Sequence, residues 1–194
     1  MDTPYFDTYE NLVQQAGTFH GDICHGIRIG TRMTMSGLRR IGITDPKGAD
    51  RKKLIVFVEI DRCTTDAIMA LTGCRPGKRS MKIRDYGKMA ATFINMETNK
   101  AFRVVVKGNR KAGDDGSEGS GKEPDFAAIP EDELFTINEV EVPLRPEDLP
   151  GKPLSRIPCM RCGETIMDGR EVRSGDQVLC PPCAQATDYY RILG

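Results

Sequence analysis

The 194-residue sequence predicts an α+β fold, a mixed or antiparallel sheet with packed helices, followed by a small C-terminal treble-clef zinc-finger module. Three observations predict it. KKLIVFVEI is a continuous apolar run rich in β-branched residues, as a strand buried on both faces requires. Residues 27–41 place Ile27, Gly30, Thr34, Gly37, Leu38 and Ile41 at three- and four-residue intervals, the period of a helix face. The last 36 residues hold two C-x-x-C pairs, Cys159/Cys162 and Cys180/Cys183.

In chain order, a first short helix is expected over Asp7–Ala16, ended by the glycine-rich and polar TFHGDICHG. In the second helix, two glycines on the apolar face each cost about 1 kcal/mol against alanine, which implies a very close neighbour. Arg28, Arg32 and Arg39 form a basic stripe on another side, ordinarily a solvated face. After the central strand, CTTDAIMALTGC reads as a third helix with Thr64 or Thr65 as N-cap and Gly73 as the stop. MAATFINME and AFRVVVKG, joined at Thr98-Asn99-Lys100, read as a hairpin, and ELFTINEVEV as a last strand. RKAGDDGSEGSGKEPD between them has no apolar anchor and reads as a mobile loop. Prolines at 143, 146, 150, 153 and 158 mark an extended linker. The organisation expected is a body over 1–145, a linker over 146–157 and the finger over 158–194.

Composition narrows the function. Twenty-eight basic residues balance 28 acidic ones, so no global charge marks a nucleic-acid or membrane binder. An acidic N-terminus and the lack of a long apolar run predict a cytoplasmic protein with no membrane span. In a reducing compartment, seven cysteines point to metal or thiol chemistry before disulfides.

Seventeen residues separate the two C-x-x-C pairs, a spacing used by four-thiolate zinc sites. Asp168-Gly169 and Ser174-Gly175 supply turns, and Pro181-Pro182 open a terminal helix PPCAQATDYYRIL that carries the last ligand. Four thiolates leave no position for water, so this zinc is structural. From Cys159 onward four basic and five acidic residues give a net charge of −1, which disfavours phosphate binding. Docking or dimerisation through Tyr189, Tyr190 and Ile192 fits better, and a homodimer is expected because a tethered finger can reach across to a second copy of the chain.

Upstream, both histidines, His20 and His25, flank Cys24, while Cys63 and Cys74 bracket the third helix. Imidazole and thiolates at element ends suit a transition metal held by His20, Cys24, Cys63 and Cys74. Buried cysteines acting as small hydrophobes, and a Cys63–Cys74 disulfide, stand as alternatives. RPGKRSMKIRDYGK carries six basic residues and one acidic one, a solvated loop or a basic rim for a small anionic ligand. GCRPGK is not a phosphate loop: its glycine spacing is one short and Arg79 stands where Ser or Thr is needed.

FHGDICHGIRIGTRM, CTTDAIMALTGCRPGK and RDYGKMAATF, in that order, resemble the signature blocks of the FmdE family, named for a component of formylmethanofuran dehydrogenase, over roughly residues 15–142. The resemblance implies a core pocket formed by His20, Cys24, Cys63 and Cys74, with Asp66, Lys78 and Lys88 as ligand-binding candidates. Cys24, Cys63, Lys78 and Lys88 become the catalytic candidates if chemistry occurs there. His25 departs from the family, whose members often carry proline after the first cysteine. The implied function is a metal-binding protein of methanogenesis and anaerobic one-carbon metabolism, associated with a larger redox enzyme complex as an accessory to an oxidoreductase. The alternative is an adaptor or regulatory protein whose finger docks a partner and whose pocket senses a metal or metabolite.

Overall fold

A computed structural model describes residues 7–108, 124–186, 188–191 and 193. Most of the loop expected over 110–125, and the contact candidate Ile192, lie outside the described residues. The chain divides into two compact units, Met1–Val142 and Pro143–Gly194.

The first unit contains α1 (Tyr9–His20), α2 (His25–Ile41), β1 (Leu54–Val58), α3 (Cys63–Thr72), β2 (Met81–Ile83), β3 (Ala90–Asn95), β4 (Ala101–Val106), α4 (Glu131–Leu134) and β5 (Phe135–Glu139). The five strands form one sheet in the order β2-β1-β3-β4-β5. β1 and β2 run parallel, and every other pairing is antiparallel. β1 is internal and buries Leu54, Ile55, Val56 and Val58, as a strand covered on both faces should. The hairpin of β3 and β4 turns through Asn99 at φ 58°, a left-handed position that asparagine tolerates.

The glycines of α2 explain how the helices reach this sheet. A Cβ at Gly30 would lie 2.8 Å from the Ala67 Cβ, and one at Gly37 would lie 2.2 Å from the Phe93 ring. The helix therefore touches α3 on one side and β3 on the other, at distances only glycine permits. Ile29, Met33, Leu38 and Ile41 join β1, β3 and β4 in the main core, while Val13, Ala16, Ile27, Ala67 and Leu71 form a smaller core among α1, α2 and α3.

Several expectations need correction. α1 runs to His20 rather than stopping at Ala16, because Thr18, Phe19 and His20 all tolerate a helix and the true stop is Gly21, in the left-handed region at φ 103°. α3 begins at Cys63 with Arg62 as its N-cap. The threonine hydroxyls are used elsewhere: Thr64 donates to the Gly26 carbonyl and Thr65 to the Ile60 carbonyl. The segment read as a basic loop contains the edge strand β2, three residues long and too short for alternation to be legible. The arginine stripe is not simply solvated. Arg32 donates to the carbonyls of Phe126, Ala127 and Ile129, and both Arg39 and Arg40 hold Glu131, so α2 anchors the segment leading into α4.

The second unit has a 3-10 turn at Pro146–Asp148, hairpins of β6 (Arg156–Pro158) with β7 (Thr165–Met167) and β8 (Val172–Ser174) with β9 (Gln177–Leu179), and α5 (Pro181–Gln185). The terminal helix is much shorter than PPCAQATDYYRIL suggested, because Ala186 takes the left-handed conformation at φ 54° and ends it. Among the described residues, no helix is long and apolar enough to cross a membrane.

Candidate functional site

Three helix ends converge in the first unit. His20 is the last residue of α1, Cys24 is the residue before α2, and Cys63 is the first residue of α3. Their ligand atoms all lie within 4.8 Å of one another, although 43 residues separate the first from the last. Gly26 makes the approach of α2 to α3 possible: a Cβ there would sit 2.8 Å from the Cys63 Cβ and 3.6 Å from the Cys24 Sγ. The Thr64 hydroxyl, donating to the Gly26 carbonyl at 3.3 Å, ties the two helix starts together.

Asp66, one turn into α3, places a carboxylate oxygen 2.8 Å from His20 Nδ1. With Nδ1–H donated to Asp66, the imidazole keeps its lone pair on Nε2, the arrangement that orients and strengthens a histidine metal ligand. Burial and the neighbouring Cys24 thiol push the Cys63 thiol above its ordinary pKa. Two adjacent thiols resist double ionisation unless a cation is between them, and a metal supplies that cation. The three donors suit a borderline-soft ion such as zinc, and three protein ligands leave a fourth tetrahedral position open.

The remaining predicted residues do not join this group. Cys74 follows the far end of α3, about 16 Å along the helix from Cys63 at 1.5 Å per residue. It is 3% exposed within the main hydrophobic core, and burial raises its pKa. It is a small core hydrophobe, and a disulfide to Cys63 is ruled out by distance. Lys78 precedes β2, on the Cys74 side, whereas Lys88 follows β2, with its backbone N–H on the Glu59 carbonyl and its ammonium 5.9 Å from the centre of the Tyr86 ring. The two lysines therefore do not form one anion clamp. The His25 ring packs edge-on against Phe126 with centroids 4.8 Å apart. Sequence reasoning did not give Gly26 a role; its position two residues after Cys24, in a helix start, was the available signal.

In the second unit the Sγ atoms of Cys159, Cys162, Cys180 and Cys183 also lie within 4.8 Å of one another. Cys159 and Cys162 flank a knuckle in which the Gly163 N–H bonds the Cys159 carbonyl, and the Cys180 N–H donates to the Cys159 sulfur at 3.3 Å. Backbone N–H groups of Cys162 and Cys180 pull the Cys159 thiol down to about 6, while its thiol neighbours, Cys180 first, push Cys183 up to about 12. This is the signature of a closed four-sulfur cage, which zinc stabilises by neutralising the crowded thiolates.

Comparison with known proteins accords with this division. Residues 19–134 match the family described as "FmdE, Molybdenum formylmethanofuran dehydrogenase operon", and residues 153–189 match the "Prokaryotic dksA/traR C4-type zinc finger". A "Probable S-adenosyl-L-methionine-binding protein" of Archaeoglobus fulgidus is 29% identical over 94% of this chain, and the chain spans about half of that relative, 54% of its length. A crystal structure of an FmdE-like protein of the tungsten formylmethanofuran dehydrogenase type, from Syntrophus aciditrophicus, covers 95% of this chain and 96% of its own, with a TM-score of 0.59 at 21% identity, a likeness of fold.

Proposed function

We propose, from the premise that this chain belongs to the FmdE family, that it is a two-metal protein with separate structural and functional ions. The structural zinc is held by Cys159, Cys162, Cys180 and Cys183. The functional ion, a thiophilic transition metal, is held by His20, Cys24 and Cys63 with Asp66 behind the imidazole. The observation that carries this reading is the convergence of those three donors from three helix ends within 4.8 Å. Loss of Cys74 from the ligand set changes the chemistry expected. Four core ligands would have closed the site, whereas three leave a position for water or a substrate oxygen, where a metal polarises a carbonyl or lowers the pKa of water. That capacity suits the formyl-group chemistry of the enzyme named in the family's description, to which the chain would serve as an accessory.

Elemental analysis of the purified chain tests the assignment. Two metals per chain are expected in the wild type and in Cys74→Ser, falling to one in Cys24→Ser, Cys63→Ser and Cys162→Ser. A single metal in the wild type, unchanged by Cys24→Ser, would remove the core site. A second reading, a regulatory adaptor, is favoured by the finger's exposed apolar residues: Met160, Tyr189 and Tyr190 are 65%, 99% and 51% exposed. Capture of a defined partner by the wild type but not by Tyr189→Ser/Tyr190→Ser would support it.

A further inference from the structure

The first unit has a cleft apart from the cysteine site. A cavity of about 170 Å³ opens between α1, the second half of α2, the end of α3 and the segment after α2. Leu12, Met35, Leu38 and Leu71 give it an apolar wall, and Lys47 stands at it with a polar rim. Leu71 is about 12 Å along α3 from Cys63, so the cleft shares no residue with the metal ligands.

The charges at the cleft are unevenly satisfied. Two carboxylates line it, and both are occupied by their own neighbours. Asp7 accepts from the Thr8 N–H at 2.9 Å, the Asn11 amide at 2.7 Å and the Gln15 amide at 3.5 Å. Asp45 accepts from the backbone N–H groups of Gly48 at 2.9 Å and Ala49 at 2.7 Å. Lys47, in contrast, has one long contact, 3.4 Å from Nζ to the neutral Gln15 amide oxygen. Its nearest charged influence is another cation, Arg75, which together with burial lowers the Lys47 pKa. Arg75 is held with its guanidinium 4.7 Å above the Phe19 ring, and its Nη1 is buried with no hydrogen-bond partner among the described residues. An unanswered pair of cations beside an apolar cavity lacks an anion with an apolar body.

We propose that this cleft binds a short aliphatic carboxylate, its chain against Leu12, Met35, Leu38 and Leu71 and its carboxylate on Lys47, with Arg75 supplying the second positive charge. Size selects the length. An apolar cavity of about 150 Å³ holds a molecule the size of benzene, so about six carbons fit here. The proposal is independent of the metal assignment.

Titration of the full-length, isotope-labelled chain with sodium hexanoate, sodium acetate and 1-hexanol, followed by amide shifts, tests it. Hexanoate is expected to give saturable shifts at Thr34, Leu38, Lys47 and Leu71. Acetate, without the buried methylenes, binds at least about tenfold more weakly. 1-Hexanol, without the charge, also binds at least about tenfold more weakly. In Lys47→Met the hexanoate affinity falls by about tenfold or more while that for hexanol is retained, with the metal content as in the wild type. Equal affinity for hexanoate and hexanol, unchanged hexanoate binding in Lys47→Met, saturable shifts confined to other regions, or no saturation by about 20 mM would each overturn the assignment.

Discussion

Replacing Gly26 by alanine inserts one methyl group into the seam between α2 and α3 without altering any metal donor. The added Cβ would stand 2.8 Å from the Cys63 Cβ and 3.5 Å from the Thr64 nitrogen. Carbon atoms at van der Waals contact are about 3.5–4.0 Å apart, so the seam must open by about 1 Å. Overpacking of this kind costs about 1–3 kcal/mol, against which better helix propensity returns less than about 1 kcal/mol. A net loss of about 1–2 kcal/mol should lower the Tm by about 3–6 °C. The effect on the metal should be larger. Ligand distances hold to about 0.2 Å, so a shift of about 1 Å between Cys24 and Cys63 should weaken core metal binding by tenfold or more. Competition against a chromophoric chelator measures the affinity, and calorimetry measures the Tm. Gly37→Ala is the control: its Cβ would meet the Phe93 ring at 2.2 Å, so stability should fall by about 2–3 kcal/mol with core metal affinity retained at temperatures where the chain is folded. If Gly26→Ala binds the core metal as tightly as the wild type, the close approach of the helix starts is not what builds the site.

Asp66→Asn should retain the core metal at saturation but weaken it by about 10–100-fold in chelator competition, because the imidazole loses its anionic acceptor at 2.8 Å; an unchanged affinity would reduce the contact to a surface ion pair. Arg103 holds the buried Glu59 carboxylate through two contacts of 2.6 Å and depresses its pKa below the usual 4.5. A depressed carboxylate stabilises the fold above its unfolded pKa and loses that contribution as pH falls through the folded value. Denaturant titrations should therefore show stability falling below about pH 4.5, and Arg103→Leu should lose about 2–3 kcal/mol at neutral pH and show a flatter acid limb. Cys162→Ser should remove the second unit's zinc and its amide protection while leaving protection in β1, β3 and β4; loss of protection throughout would show that the two units fold as one. Sedimentation equilibrium on the full chain tests the expected homodimer, and a monomer at all concentrations would refute it.

The strongest local signals were legible. Cys159/Cys162 and Cys180/Cys183 are pairs close in sequence, and the two-residue spacing nearly determines where their sulfurs go. The glycines of α2 announced close packing, and the run at 52–60 announced an internal strand. Boundaries were less legible: α1 outlasted its expected end because Gly21, rather than the preceding polar residues, sets the stop, and the threonines of α3 found carbonyl acceptors instead of capping the helix. β2 was hidden because three residues at a sheet edge, only one of them buried, carry no pattern.

By itself the sequence determined the α+β class, the thiolate cage and the list of upstream donors, because each of these depends on periodicity or on neighbours a few residues apart. Only the tertiary structure decided which donors meet. Cys74 and Cys63 are both at ends of α3 and look equivalent in one dimension, yet a rigid helix holds them about 16 Å apart and places Cys74 in the core. His20, Cys24 and Cys63 come together because Gly26 lets α2 touch α3 and Asp66 meets the end of α1, contacts made across the fold that no local spacing encodes.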